Sequence, residues 1–135
     1  PPRQCSNQHL QHPSKRQQSR SQALLSSFLI RSKKLLAAAK DQACVNCGVR
    51  DGTIVAAHYT GLRASQLGKG TGHKPHDLAI ADLCHKCHYS FDVAGGGSTF
   101  EKKIDKSEQF LFNIIKTLIR RIDQGVIKIE GTRDE

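Results

Sequence analysis

The sequence predicts an α+β fold, in which a β-hairpin and a helix are clamped by a four-cysteine cluster and flanked by further helices. Three observations predict it. Two Cys-x-x-Cys pairs, Cys44/Cys47 and Cys84/Cys87, bracket the middle of the chain. Between and after them, two short apolar runs and a short helical stretch follow the order strand, strand, helix. A longer stretch beyond residue 98 carries the clearest helical periodicity in the chain.

Each cysteine pair brings two thiolates within reach of one ion, and two such pairs make the tetrahedral soft-ligand set that zinc prefers. The gap between the pairs is about twice the usual zinc-ribbon spacing, so the intervening segment reads as a structured insertion. His58, His73, His76 and His85 fall inside that span and His88 just after it. A cluster that needed only its thiolates would have no use for them. Cys5 stands apart in a polar stretch and reads as a free thiol.

The 135 residues suffice for one compact domain and a tail, and 37% apolar content without Trp or Met gives a modest core of the kind that leans on a structural metal. The net charge is +9, and residues 1–40 hold eight Lys/Arg with no Asp or Glu, so nearly all the excess is N-terminal. A basic arm on a near-neutral domain points to a polyanion, most often nucleic acid; a solvated tail is the plain alternative. No signal peptide and no membrane-spanning run is evident, and cysteines spaced for metal rather than for disulfides point to a reducing cytosol.

In chain order, residues 1–20 read as a disordered basic tail. Residues 21–40 read as a basic amphipathic helix: Leu24, Leu25, Phe28, Leu29, Leu35 and Leu36 recur at roughly helical spacing, with a break near Arg31–Ser32. Its Arg31, Lys33 and Lys34 offer a face for a phosphate backbone. Residues 41–130 read as the zinc-binding domain. Gly48 and Asp51-Gly52 turn the first cysteine knuckle, Thr53 to Ala57 reads as a strand ending at His58, and residues 61–76 read as a long loop with Gly61, Gly68, Gly70 and Gly72. That loop carries Arg63, Lys69 and Lys74, which with its glycine N–H groups suit phosphate contacts. Leu78 to Leu83 reads as the second strand, and His85 to about Val93 as a short helix. Ser98-Thr99-Phe100-Glu101 is a capping-box pattern, and the helix after it sets Leu111, Ile114, Ile115, Leu118 and Ile122 on one face. It ends near Gly125, with Val126 to Ile129 as a short further strand.

Several residues now form one string: Ala57-His58, Thr60-Gly61, Gly70-Thr71-Gly72, Lys74-Pro75, Asp77-Leu78, and Cys84-x-x-Cys87-His88-x-x-x-Asp92. This string resembles the HNH (ββα-metal) nucleases, and in detail is most similar to the small prophage-encoded YbcO-like nucleases, over roughly residues 31–130. The resemblance implies a treble-clef-like ββα-metal core, a metal-dependent endonuclease acting on DNA, and a bacterial cytoplasm. It implies that His58, at the end of the first strand, is the general base, as a neutral imidazole near pH 7 can be. It implies that His88 and Asp92, four residues apart on one helical face, hold a catalytic divalent ion, Mg2+ or Mn2+ with Zn2+ or Ni2+ as alternatives. The four cysteines would hold a structural Zn2+.

The string departs from the family at Ala57, where many members place a metal-binding Asp or His. Asp77 is the best substitute for that third ligand, ahead of His73 and His76. Each residue also has a plainer reading: His58 as a turn-bonding histidine, His88 as a group beside the zinc, Asp92 as a surface carboxylate, Asp77 as a turn former and His85 as solvent-facing. A non-catalytic treble-clef DNA-binding module would need the cysteines and the basic arm but neither His58 nor His88. A protein-contact adaptor would show an exposed apolar stripe on the helix near residues 108–122. A homodimer would help an endonuclease make double-strand breaks.

Overall fold

The computed structural model describes residues 29–92 and 99–131. The expected basic tail, Cys5, and the first part of the expected 21–40 helix with Leu24, Leu25 and Phe28 lie outside the described residues. The part of that helix that is described is short. It starts only at Lys33, because the Ser32 hydroxyl accepts the Leu35 N–H at 3.3 Å and caps it, at the expected break. This helix, α1 (Lys33–Ala37), buries Leu35. Ahead of it, residues 30–32 run extended against residues 74–77, so this segment belongs to the same packed unit as the domain.

Strand β1 (Val55–His58) pairs antiparallel with β2 (Ile80–Leu83), Val55 opposite Leu83 and His58 opposite Ile80. Both strands start two residues later than the sequence predicts, and turns are the reason. The Asp51 carboxylate accepts the Thr53 N–H and hydroxyl at 2.9 and 2.7 Å, which holds Thr53 in an Asx turn. The Ala79 N–H bonds back to the His76 carbonyl at 2.9 Å, which keeps Leu78 in a turn. Between the strands the expected loop is ordered. A 3-10 turn at Ala64–Leu67 ends at Gly68, whose φ of +92° suits glycine and whose missing Cβ leaves room for the Leu29 side chain. Gly70 and His73 then pair through both backbone bonds.

Helix α2 (His85–Asp92) starts on Cys84, whose carbonyl accepts the His88 N–H at 2.9 Å and whose sulfur faces the Cys87 N–H at 3.5 Å. Helix α3 (Phe100–Asp123) packs on β2. Its cap is Thr99, whose hydroxyl accepts the Lys102 N–H, one residue beyond the Ser98 that the capping-box pattern favours. Its C-terminus is a Schellman turn: Gly125 takes φ +67°, its N–H bonds Ile122 and the Val126 N–H bonds Arg121. The expected strand over Val126 to Ile129 does not form. The Val126 and Ile127 N–H groups both go to the Arg121 carbonyl and cannot enter a ladder.

The buried face of α3 also differs from the expected one. Ser107, Phe110, Ile114, Thr117 and Arg121 are buried at spacings of three and four, whereas Ile115 and Ile122 of the expected face are exposed. Ile114 belongs to both stripes, and at 3.6 residues per turn their centres lie roughly 75° apart. Long-range polar partners cause the rotation. The Ser107 hydroxyl meets the Tyr59 hydroxyl and accepts the Leu62 N–H. The Thr117 hydroxyl accepts the Asp82 N–H and donates to the Asn113 carbonyl. The Arg121 guanidinium is fully buried and grips the fully buried Asp82 carboxylate through two bonds of 2.5 and 2.9 Å. Among these groups Phe110 and Ile114 join Tyr59, Ile54 and Leu83 in the core, with Tyr59 set edge-on to Phe110.

Removing one partner of such a pair leaves a charge in the core. Arg121→Ala is therefore expected to cost about 3–5 kcal/mol of unfolding free energy in a denaturant titration. A loss under about 1 kcal/mol would show that Arg120 alone satisfies Asp82.

Candidate functional site

The first cluster is the cysteine set. Its four sulfurs lie within 4.8 Å of one another, and Cys44, Cys84 and Cys87 are buried. The knuckle geometry follows from local bonds: the Cys44 N–H bonds Val49, the Gly48 N–H returns to the Cys44 carbonyl, and Gly48 takes φ +79°. A tetrahedral zinc with Zn–S near 2.3 Å spaces its sulfurs at about 3.8 Å. Cys47 and Cys84 stand 3.7 Å apart. The donor set therefore fits a metal ion such as zinc.

The electrostatics of the cluster are uneven. Burial pushes the Cys44 thiol up, but the backbone amides of Cys47, Cys84 and Asn46 outweigh it and bring the group down to about 7. Burial also drives Cys87 up to about 12, although the Asn46 side-chain amide donates to its sulfur at 3.3 Å. Asn46 is itself held by Asn113 at 3.0 Å, which ties the first knuckle to α3. A cation is what lets four such packed sulfurs ionise together.

The second group of side chains lies in an open cleft of about 270 Å³ between the end of β1, α2 and the glycine loop. His58, His88, Asp92, His73, Lys69 and Lys74 all line it. Strand alternation sends Ala57 and Tyr59 into the core and His58 to the opposite side. His88 and Asp92 share a face of α2 and meet at 2.9 Å, and the Thr60 hydroxyl donates to the other Asp92 oxygen at 3.2 Å. Among the described residues no third His, Cys, Asp or Glu lies close enough to complete a three-ligand set with them.

Asp77, the expected third ligand, sits elsewhere. It is buried beside His58, whose Nε2 is 2.8 Å from Oδ1. Its other oxygen accepts the Ser32 N–H at 2.6 Å, and Arg31 lies 3.3 Å away. Ala57 contributes its methyl to the core, so no ligand comes from that position either. His76 is committed to the fold, because its Nδ1 accepts the Ile30 N–H at 3.0 Å. His85 is exposed, as expected.

Of the six cations expected to contact phosphates, Lys69 and Lys74 line the cleft. Arg63 opens onto a different groove beside Phe100 and Ile104. Lys33 and Lys34 project from α1 into solvent, away from the cleft lining. Arg31 clamps the chain, donating to the carbonyls of Lys74 and Pro75 as well as to Asp77. The N–H groups of Gly68 and Gly70 are spent on Ser65 and His73. Sequence reasoning placed Thr60 in the motif string without its bond to Asp92, and it missed Asn46 and the ion cluster of Asp82, Arg120 and Arg121. The one available signal was an aspartate inside the apolar run Ile80-Ala81-Asp82-Leu83.

No family model matches the chain, and comparison with curated proteins and with solved structures gives no match. No helix among the described residues is long and apolar enough to cross a membrane.

Burial alone would raise the Asp77 carboxyl, but bonds from His58 and Ser32, the His58 charge and Arg31 outweigh it and hold the group below its ordinary 3.8. A depressed carboxylate stabilises the fold above its unfolded-state value and loses that contribution as pH falls through the folded-state value. The stability gap between the native chain and Asp77→Asn is therefore expected to shrink as the pH falls below about 4. Parallel denaturant titrations read the gap; one that stays constant down to pH 2.5 would show that Asp77 carries no such charge.

Proposed function

We propose that this chain is an HNH-type, metal-dependent endonuclease that hydrolyses phosphodiester bonds in DNA, of the prophage YbcO-like kind. The observation that carries the proposal is the convergence of His58, His88 and Asp92 on one cleft, with Lys69 and Lys74 beside them. The reaction needs a base for the attacking water, positive charge at the phosphoryl oxygens, and help for the leaving oxygen. His58 accepts the proton of the water. Lys69 and Lys74 hold the flanking phosphates without reading bases, so sequence preference is weak and affinity falls steeply with salt. His88 and Asp92 are the residues that would hold the divalent ion, Mg2+ or Mn2+ with Zn2+ or Ni2+ as alternatives. When bound there, it supplies Lewis-acid stabilisation of the phosphoryl charge. Two protein ligands suit an ion that completes its shell with waters and substrate phosphates. The four cysteines hold a structural zinc that fixes the hairpin against α2.

A second reading has an observation of its own. Phe112, Ile115, Ile119 and Ile122 form an exposed apolar stripe along α3, which fits a protein-contact role for that helix.

The nuclease reading predicts that purified protein nicks supercoiled plasmid with Mg2+ or Mn2+ and that EDTA stops it. His58→Ala is expected to slow nicking by roughly 10²-fold or more while leaving DNA binding intact. Cys84→Ala should instead unfold the domain, because structural metal binding is coupled to folding. Salt-sensitive DNA binding without cleavage in Mg2+, Mn2+, Ni2+ or Zn2+ would move the assignment to a non-catalytic zinc module.

A further inference from the structure

His58 and Asp77 form a pair that the proposed reaction uses only in part. We infer that Asp77 is the positioning residue of His58: it holds the ring through Nε2–H and leaves Nδ1 as the proton-accepting atom in the cleft. This inference rests on the nuclease reading for the role of that proton, but the pair itself can be read without any cleavage.

The first support is how firmly the carboxylate is seated. Asp77 is 4% exposed. Oδ2 accepts the Ser32 N–H at 2.6 Å, and Oδ1 faces Arg31 Nη1 at 3.3 Å. The backbone is fixed as well: the Asp77 N–H bonds the Ile30 carbonyl at 3.0 Å, and the Ile30 N–H bonds His76. Arg31 also grips the Lys74 carbonyl at 2.7 Å, so residues 30–32 form a strap across residues 74–77. A carboxylate held this way presents Oδ1 to His58 in one geometry.

The second support is the chemistry of the contact. An ionised carboxylate can only accept hydrogen bonds. Asp77 is held below the ordinary carboxylate range, so at neutral pH the proton of the 2.8 Å contact belongs to Nε2. A neutral imidazole with hydrogen on Nε2 has its lone pair on Nδ1. Among the described residues no group bonds Nδ1, and the ring lines the cleft that holds His88, Asp92, Lys69 and Lys74. The nitrogen left over is the one able to take a proton from water.

The same seat gives Arg31 a role other than the phosphate contact expected from the sequence. A phosphate contact acts on substrate binding, so its loss raises KM and flattens the salt dependence. A group that steadies Asp77 acts on the base, so its loss lowers kcat and leaves KM near its starting value.

The deciding experiment is a long-range 1H–15N correlation spectrum of the full chain labelled with 15N-histidine, with the His58 signals assigned by their absence in His58→Ala. At pH 7.5 the expected pattern is a protonated Nε2 and an unprotonated Nδ1. In Asp77→Ala that fixed tautomer should give way to an exchanging mixture. A wild-type ring protonated on Nδ1, or an Asp77→Ala spectrum with the pattern unchanged, overturns the inference. The wild-type spectrum decides even if Asp77→Ala fails to fold. In the nicking assay, Arg31→Ala is expected to lower kcat about 10-fold or more with KM within about 2-fold, and a rise in KM alone counts against the strap. A chain with the expected tautomer that cuts nothing supports the pair and contradicts the nuclease reading, which keeps the two failures apart.

Discussion

The Asp82 carboxylate is the point on which the rest of the structure turns. Two strands of four residues are too little sheet to persist alone. Asp82 supplies what they lack. Its carboxylate takes Arg121 through two bonds and Arg120 through a third, its N–H goes to Thr117, and its carbonyl accepts the Val45 N–H. Arg121 reaches on to the Leu35 carbonyl, and Arg120 to that of Ala43. One side chain in β2 thus ties together α3, α1 and the first cysteine knuckle. Every buried polar side-chain atom among the described residues has a partner, so the polar interior orders the fold without an unpaired group.

That tie places both clusters. Val45 adjoins Cys44, and Asp82 lies two residues before Cys84, so the Val45–Asp82 bond brings the knuckles together before any ion completes the set. The second knuckle starts α2, because Cys84 caps it through its carbonyl and sulfur. The direction of α2 then aims His88 and Asp92 at the cleft, while the β1–β2 register delivers His58 to the same cleft. The cysteines and the cleft are two ends of one ββα unit, and distortion of the cysteine end is expected to reach the cleft through a single helix.

Local signals made much of this legible. The cysteine spacing, the strand–strand–helix order and the i,i+4 relation of His88 and Asp92 all follow from short-range pattern, and the cysteine cluster and the α2 pair are where the pattern puts them. What pattern could not show was set by distant partners. Hydrophobicity assigned Ile115 and Ile122 to the core face of α3, but the buried face is chosen by Ser107, Asn113, Thr117 and Arg121, whose partners lie in Tyr59, Asn46 and Asp82. Asp77 read as a spare ligand near the second strand, because nothing in the sequence shows that Arg31 and Ser32 return to enclose it. The apparent strand after Gly125 failed for a local reason, the capture of two N–H groups by one carbonyl, which apolar content does not reveal.

The proposed function requires one small strand–strand–helix unit to carry two metal sites of different kinds, one closed by the thiolates of the cysteine cluster and one open to substrate phosphate. Anomalous diffraction from crystals grown with zinc and soaked in Mn2+ with a short DNA fragment tests it most directly. The account predicts a zinc peak inside Cys44, Cys47, Cys84 and Cys87 and a manganese peak between His88 and Asp92, with a phosphate beside it. A lone peak at the cysteines, with the His88–Asp92 pair intact and the DNA bound outside the cleft, would contradict it.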